Sequence, residues 1–206
     1  MARVSKPPEE RRQELIEVAL RLFFTKGYAE TSVRDILKEV NGAPGMFYYY
    51  FASKEEIFQA AIDSYVESYI ESLKGNILNY DLSVSDRIKG TVKQFNHTFI
   101  QVGKFVTAPE SPFNAVFHTS LSNKIINAMT EPFAILVKDA ISCGFIKKEA
   151  IRTKTVEETI FYLIAGIYGI INFAISNFES EDYLKKPQQV LQYISLMLGI
   201  DIEALK

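Results

Sequence analysis

From Thr31 to Lys54 the chain reads TSVRDILKEVNGAPGMFYYYFASK, and its apolar positions alternate between two short helical patterns. Val33, Ile36, Leu37 and Val40 fall at i, i+3, i+4 and i+7, the spacing of a helix with one buried face. Thr31 and Ser32 offer caps for its N-terminus. Asn41-Gly42 supplies two residues that tolerate positive φ, and Pro44 fits a first helical turn but not an interior one. A second helix is therefore predicted over about Ala43 to Tyr50. Phe47 and Phe51, four apart, pack inward from it and leave Pro44, Gly45, Met46, Tyr48 and Tyr49 outward. Ser53-Lys54-Glu55-Glu56 has the capping-box spacing, so a third helix starts at Lys54.

The same periodicity organises the rest. Before the motif, Leu15, Ile16, Ala19, Leu22 and Phe23 form one face of a helix from about Pro8 to Lys26, stopped by Gly27; Tyr28 follows as a ring sealing the edge of a three-helix unit. After it, the helix from Lys54 carries Ile57, Phe58, Ala61, Ile62, Tyr65, Val66, Tyr69, Ile70 and Leu73 to a stop near Gly75. That stripe is wider than a small domain needs, so its C-terminal half is expected to pack on a second layer. A helix starting near Asp86 bears Ile88, Val92, Phe95, Phe99, Val102 and Val106. The segment Thr107 to Pro112 breaks it, a short helix holds Phe113, Val116 and Phe117, and a longer one with Pro132 as a kink or fresh start ends at Gly144. Ile160 to Ile175 is nearly all apolar, and a last helix runs from about Pro187 to Leu198. No stretch alternates with period two over a convincing length. The fold class is all-α.

Helix, tight turn and helix is the connection of a DNA-binding helix-turn-helix, whose second helix enters the major groove. Arg34 projects away from the inward positions of its helix, where it can grip a guanine edge or neutralise a phosphate. A tyrosine hydroxyl donates to phosphate oxygens, and Lys54 stands at the positive end of a helix dipole. Gly45-Met46-Phe47-Tyr48-Tyr49-Tyr50-Phe51, followed by Ser53-Lys54-Glu55-Glu56 and preceded by Thr31-Ser32-Val33-Arg34-Asp35-Ile36, resembles the N-terminal domain of the TetR/AcrR-like transcriptional regulators. The resemblance implies an N-terminal homeodomain-like domain over 1–54, and a C-terminal helical bundle over 55–206 that binds an effector and dimerises, with the helix from Lys54 to about 74 connecting them. DNA contacts are then expected from Ser32, Arg34, Ala43, Pro44, Gly45, Met46, Tyr48, Tyr49, Tyr50 and Lys54. Two departures stand out. Asn41 and Gly42 occupy the turn where the family usually has glycine and a small aliphatic residue, and Pro44 and Met46 stand where it often has Lys and Thr, so two polar contacts are missing.

Composition narrows the classes. Hydrophobic content of 48% with 23% charged residues is that of a folded soluble chain. A single cysteine, Cys143, excludes an intramolecular disulfide and fits a reducing cytoplasm. The start, MARVSKPPEERR, has basic residues without a following apolar run, which makes it a basic arm through Arg3 and Lys6 and not a signal peptide or anchor. Net charge is −2, divided as 9 − 7 = +2 over residues 1–54 and 14 − 18 = −4 over the rest. The asymmetry has the sign for nucleic acid but is small.

No metal-ligand spacing, nucleophile elbow or phosphate-cradling glycine loop occurs, and neither enzyme activity nor a cofactor is expected. A small, largely apolar effector is assigned to an aromatic-rich middle region formed by Phe95, His97, Phe99, Phe113, Phe117, His118 and Phe133, with Tyr162, Tyr168 and Asn172 from the apolar helix. That helix is too short for a membrane span of about 20 residues. Ala165, Gly166 and Gly169, with Val190, Leu191, Ile194 and Leu198 of the last helix, are expected to form an isologous homodimer interface of four helices. The resulting expectation is a dimeric repressor on a palindromic double-stranded DNA operator, released by its effector. The alternatives are a helical coactivator that has kept this fold without DNA binding, favoured by Pro44 and Met46, and a small all-α enzyme using the aromatic region around His97 or His118.

Overall fold

The computed structural model describes residues 7–106, 114–176, 185–201 and 203, with backbone only for 101–106, 114–121 and 172–176. Eight α-helices lie among the described residues: α1 Pro8–Lys26, α2 Val33–Glu39, α3 Pro44–Tyr50, α4 Lys54–Ile77, α5 Val84–Val106, α6 Asn114–Ser142, α7 Val156–Ser176 and α8 Lys186–Leu198. A single 3-10 turn, Lys148–Ala150, precedes α7, and no strand occurs among the described residues. The chain is all-α. Two compact units divide it, Met1–Ser68 and Tyr69–Lys206, with the break inside α4, the helix expected to connect the domains.

The first unit is built on α1. Glu9 and Glu10 lie in its first turn, favourable at the positive end of the dipole, and Gly27 ends it at φ 90 with its N–H bonded to the Phe23 carbonyl at 2.9 Å. Its buried face, Leu15, Ile16, Ala19, Leu22 and Phe23, meets Ile36 and Leu37 of α2, Phe47 of α3, and Ile57, Phe58 and Ala61 of α4 in one core. Phe23 and Phe58 stack edge-on at 5.2 Å, and Phe24 lies 5.1 Å from Tyr65. These ring contacts explain why the first half of α4 belongs to this unit. Ion pairs Arg21–Glu39 at 2.9 Å and Lys26–Asp35 at 3.7 Å join α1 to α2 on the surface, where each is worth little.

In the second unit a buried cation fixes the ends of three helices. Arg87, 2% exposed, donates from Nε to the Ile77 carbonyl at 2.6 Å and from its guanidinium to Asp139 at 2.9 Å, and lies 4.8 Å over the Tyr80 ring. A buried charge is costly unless paired, and here it also satisfies a carbonyl that the end of α4 leaves without a helical partner. Asn76 of α4 donates to the Arg87 carbonyl and to Thr91 of α5. Helix α6 is continuous from Asn114 to Ser142, where the sequence predicts a short helix and then a longer one with Pro132 as a kink or fresh start; at Pro132 the buried ring costs the helix one hydrogen bond, and neighbours at Met129, Ala134 and Leu136 hold the turn by their own burial. No helix among the described residues is long and apolar enough to cross a membrane.

The α7–α8 pair packs tightly because Gly166 lets the Tyr193 ring lie on the helix backbone. A Cβ at Gly166 would come within 2.3 Å of the Tyr193 hydroxyl, which donates to the Tyr162 carbonyl at 3.1 Å. Val190, Leu191 and Leu198 are buried inside this one chain. The sequence places them at a surface facing a second copy; within the single chain they are packed in its own core. The reason is geometric: their stripe and the buried Leu163 and Ile164 of α7 already complete each other, leaving Leu196, 81% exposed, on the open side of α8.

Candidate nucleic-acid interface

A seven-residue helix does not recover its nucleation cost alone, so α3 exists because it is anchored from outside. Phe47 is fully buried and Phe51, its C-cap, is 1% exposed, their rings 5.8 Å apart, with the Arg12 guanidinium 5.0 Å over Phe51. Burying each ring stabilises the unit by roughly 1.5–3 kcal/mol, enough to hold one helical turn. Ala43 stands at the N-cap without a side-chain bond, and Pro44 takes the first turn with its missing N–H at no cost.

The turn before α3 differs from the expectation in one respect. Asn41 alone takes a left-handed conformation, at φ 50, while Gly42 does not. Gly42 is instead required by space. A Cβ there would lie 2.2 Å from the Met46 methyl, 2.9 Å from Leu37 Cδ2 and 3.2 Å from Val40 Cγ2. Met46 is half-buried and folds over the turn, so it is not one of the outward residues. Its role where a polar DNA contact was missing is to seal the helix-turn-helix corner.

What remains outward is distinct. Tyr48 and Tyr49 are 63% and 74% exposed, Pro44 and Gly45 are exposed, and Tyr50 is half-buried with its ring 4.7 Å from Tyr49 at 90°. Arg34 is exposed on α2 and makes no ion pair among the described residues. Ser32 is occupied as the N-cap of α2: its hydroxyl accepts from the Asp35 N–H at 3.1 Å, and its own N–H donates to the Asp35 carboxylate at 2.9 Å. The Ser32 hydroxyl, which also donates to that carboxylate at 2.6 Å, and then the Ser32 backbone N–H hold the Asp35 carboxyl below its ordinary value. Thr31, the other candidate cap, is buried and donates to the Gly27 carbonyl at 2.8 Å.

Lys54 is placed differently from the tyrosines. Its ammonium sits 4.1 Å over the Tyr28 ring and 3.5 Å from the Ala29 carbonyl, and desolvation lowers its pKa against the pull of Glu55 and Glu30. Tyr28 in turn packs on Phe23 and Phe58 and donates to Glu55 at 2.8 Å; burial, then that bond, pushes its phenol up. No spacing rule links residues 28 and 54, and only the aromatic directly after Gly27 hinted at this role. Ser53 and Glu56 cap α4 as their spacing requires, with the Glu56 N–H donating to Ser53 and the Ala52 N–H to Glu56.

Residues 15–61 match the family model described as bacterial regulatory proteins, tetR family. The likeness to that family is carried by this N-terminal stretch of the chain. It is 37% identical over 78 residues to a Lactococcus lactis protein named as an uncharacterized HTH-type transcriptional regulator in the lacX 3' region, covering 38% of this chain and 40% of that one. It is 34% identical over 65 residues, 32% of this chain and 35% of the relative, to IcaR of Staphylococcus epidermidis, named as a negative transcriptional regulator of a biofilm operon. The matched stretch spans 40%, 20% and 22% of the first three curated relatives. A solved transcriptional regulator from Cytophaga hutchinsonii shares the fold at a TM-score of 0.68 and 19% identity, over 91% of this chain and 96% of that one. These relatives are named as transcriptional regulators.

Of the candidate effector residues, Phe95 and Phe99 come together at 5.8 Å, with Ile171 of α7 against them. Phe133 is half-buried. His97 is exposed and points away from that cluster, because it falls two positions off the buried stripe of α5. Tyr162 is 48% exposed and donates to Glu158, which raises its pKa; burial and Tyr69 push the Tyr168 phenol above its ordinary value. Phe113 and the side chains of Phe117, His118 and Asn172 lie outside the described residues. Sequence reading missed Asn96, whose Oδ1 is buried without a partner three residues before Phe99. Among the interface candidates, Ala165 and Ile194 are half-buried and Gly169 is exposed. Phe161, at 46%, Tyr162 and Leu196 are large apolar side chains left open on α7 and α8.

Proposed function

We propose that this TetR-family chain is a DNA-binding transcriptional repressor that acts as a homodimer on a palindromic operator and is released by a small, largely apolar effector. The observation that carries the DNA-binding reading is the pair Tyr48 and Tyr49, 63% and 74% exposed on a helix that its own buried phenylalanines hold rigid. Large rings kept in water serve a partner, and phenol hydroxyls with the free Arg34 guanidinium suit a duplex backbone and groove edge. The family model over residues 15–61 and the named regulators support the same reading.

Dimerisation is supported by the open apolar side chains of α7 and α8, Phe161, Tyr162 and Leu196. An effector is supported by the Phe95–Phe99 cluster and the unpaired Asn96 oxygen beside it, which asks for a donor from an otherwise apolar ligand. Helix α4 begins with Lys54 in one unit and ends at Ile77 in the other, so effector binding that selects one tilt of α4 changes the separation of two α3 helices and releases DNA.

The test is fluorescence anisotropy on DNA fragments selected from the source genome, with Arg34→Ala and Tyr48→Phe. Arg34→Ala is expected to weaken binding about tenfold and to reduce the salt slope by about 0.9 per bound copy if it meets a phosphate. Unchanged affinity and slope in both variants would remove the contact assignment and favour a helical interaction protein without DNA binding.

A further inference from the structure

We propose that Tyr28 is a positioning residue for DNA, holding the Lys54 ammonium at the start of α4 where it meets one backbone phosphate. This rests on the proposed DNA-binding reading and extends it to a residue outside the helix-turn-helix. The Tyr28 ring is wedged between Phe23, at 5.6 Å, and Phe58, at 4.9 Å, and its hydroxyl is tied to Glu55 at 2.8 Å, so it has one orientation. Onto that fixed ring the Lys54 ammonium settles at 4.1 Å from the centroid, with the Ala29 carbonyl 3.5 Å away on another side. A lysine side chain loses much rotamer freedom when it binds, and a lysine already held by a ring and a carbonyl has lost most of it beforehand.

An ammonium has three N–H donors. The ring face and the carbonyl take two directions, and the third is left for an acceptor outside the domain. The position favours an anion: Lys54 opens a capped 24-residue helix, at the positive end of its dipole. Glu55, which lies beside it and opposes a phosphate, has one carboxylate oxygen engaged by the Tyr28 hydroxyl. Tyr28 thus holds the cation and occupies Glu55, one of the two carboxylates, with Glu30, that compete for it.

Salt dependence of binding to a labelled mixed-sequence duplex separates positioning from stability, because the slope counts phosphate contacts and is independent of the fraction folded. Lys54→Gln is expected to lower the slope by about 0.9 per bound copy, Tyr28→Leu by the same amount, and the double variant by no more than either. Tyr28→Phe, which keeps the ring under the ammonium but releases Glu55, is expected to retain the wild-type slope with a lower affinity. An unchanged slope in Tyr28→Leu beside a reduced one in Lys54→Gln would overturn the inference alone, as would a reduced slope in Tyr28→Phe. An unchanged slope in Lys54→Gln with a reduced one in Arg34→Ala would remove the Lys54 contact while leaving DNA binding in place. No binding of duplex by the wild type would remove both.

Discussion

Gly42→Ala is a decisive perturbation of the corner between α2 and α3, because two known effects oppose each other there. Gly42 has an ordinary negative-side backbone, so alanine would cost nothing in φ and would stabilise by about 0.4–1 kcal/mol through the unfolded chain. Against this, the new methyl would meet Met46 Cε at 2.2 Å, Leu37 Cδ2 at 2.9 Å and Val40 Cγ2 at 3.2 Å. The methionine end can swing away, but Leu37 and Val40 are each 6% exposed and have no free space to enter. Overpacking of that kind costs about 1–3 kcal/mol, so the larger effect wins and the net loss is about 1 kcal/mol. In a unit spanning Met1–Ser68 that corresponds to a fall of about 4–8 °C in Tm. Thermal unfolding followed by circular dichroism measures it, with Met46→Ala and the double variant closing a cycle. Because the Leu37 and Val40 contacts remain when Met46 is alanine, Gly42→Ala is expected to keep most of its cost in that background. A Gly42→Ala protein that melts higher than the wild type would refute the packing explanation.

Three further outcomes follow from separate parts of the molecule. Arg87→Ala, which leaves Asp139 and the Ile77 carbonyl without their donor, is expected to destabilise the chain by about 3 kcal/mol in urea unfolding, whereas a surface arginine such as Arg152 is expected to cost under about 0.5 kcal/mol. Leu196→Glu, on the open side of α8, is expected to give monomers in sedimentation without lowering Tm, since the side chain is 81% exposed in the single chain; persistence of dimers would move the interface elsewhere. The Asp35 carboxyl is held below its ordinary 3.8 by Ser32, so its contribution is complete above that value and is lost as pH falls through the lower folded one; Ser32→Ala is expected to flatten the acid limb of the stability curve, and an unaltered limb would contradict the capping geometry.

The helices were legible because their signals are local. Pro8 and Gly27 bracket α1, Ser32 caps α2, Pro44 opens α3 and Ser53 opens α4, each through one side chain or one missing N–H. The outward tyrosines were legible too, since burial of Phe47 and Phe51 fixes which way Tyr48 and Tyr49 point. What sequence did not reveal depends on partners distant along the chain. Met46 turned inward because Gly42 left room for it, and Lys54 was captured by a ring twenty-six positions earlier. Val190, Leu191 and Leu198 form a stripe that reads equally well as a core or as an interface, and only the position of α7 assigns it to the core. His97 shares its helix with Phe95 and Phe99 but not their face.

Selection of genomic fragments by the wild type and by an Arg34→Ala/Tyr48→Ala/Tyr49→Ala variant tests the central claim most directly. The wild type is expected to enrich a palindromic sequence with half-sites about one helical turn apart, and the variant to enrich none. Equal recovery of the same fragments by both proteins, or of no fragment by either, would contradict a DNA interface on α2 and α3.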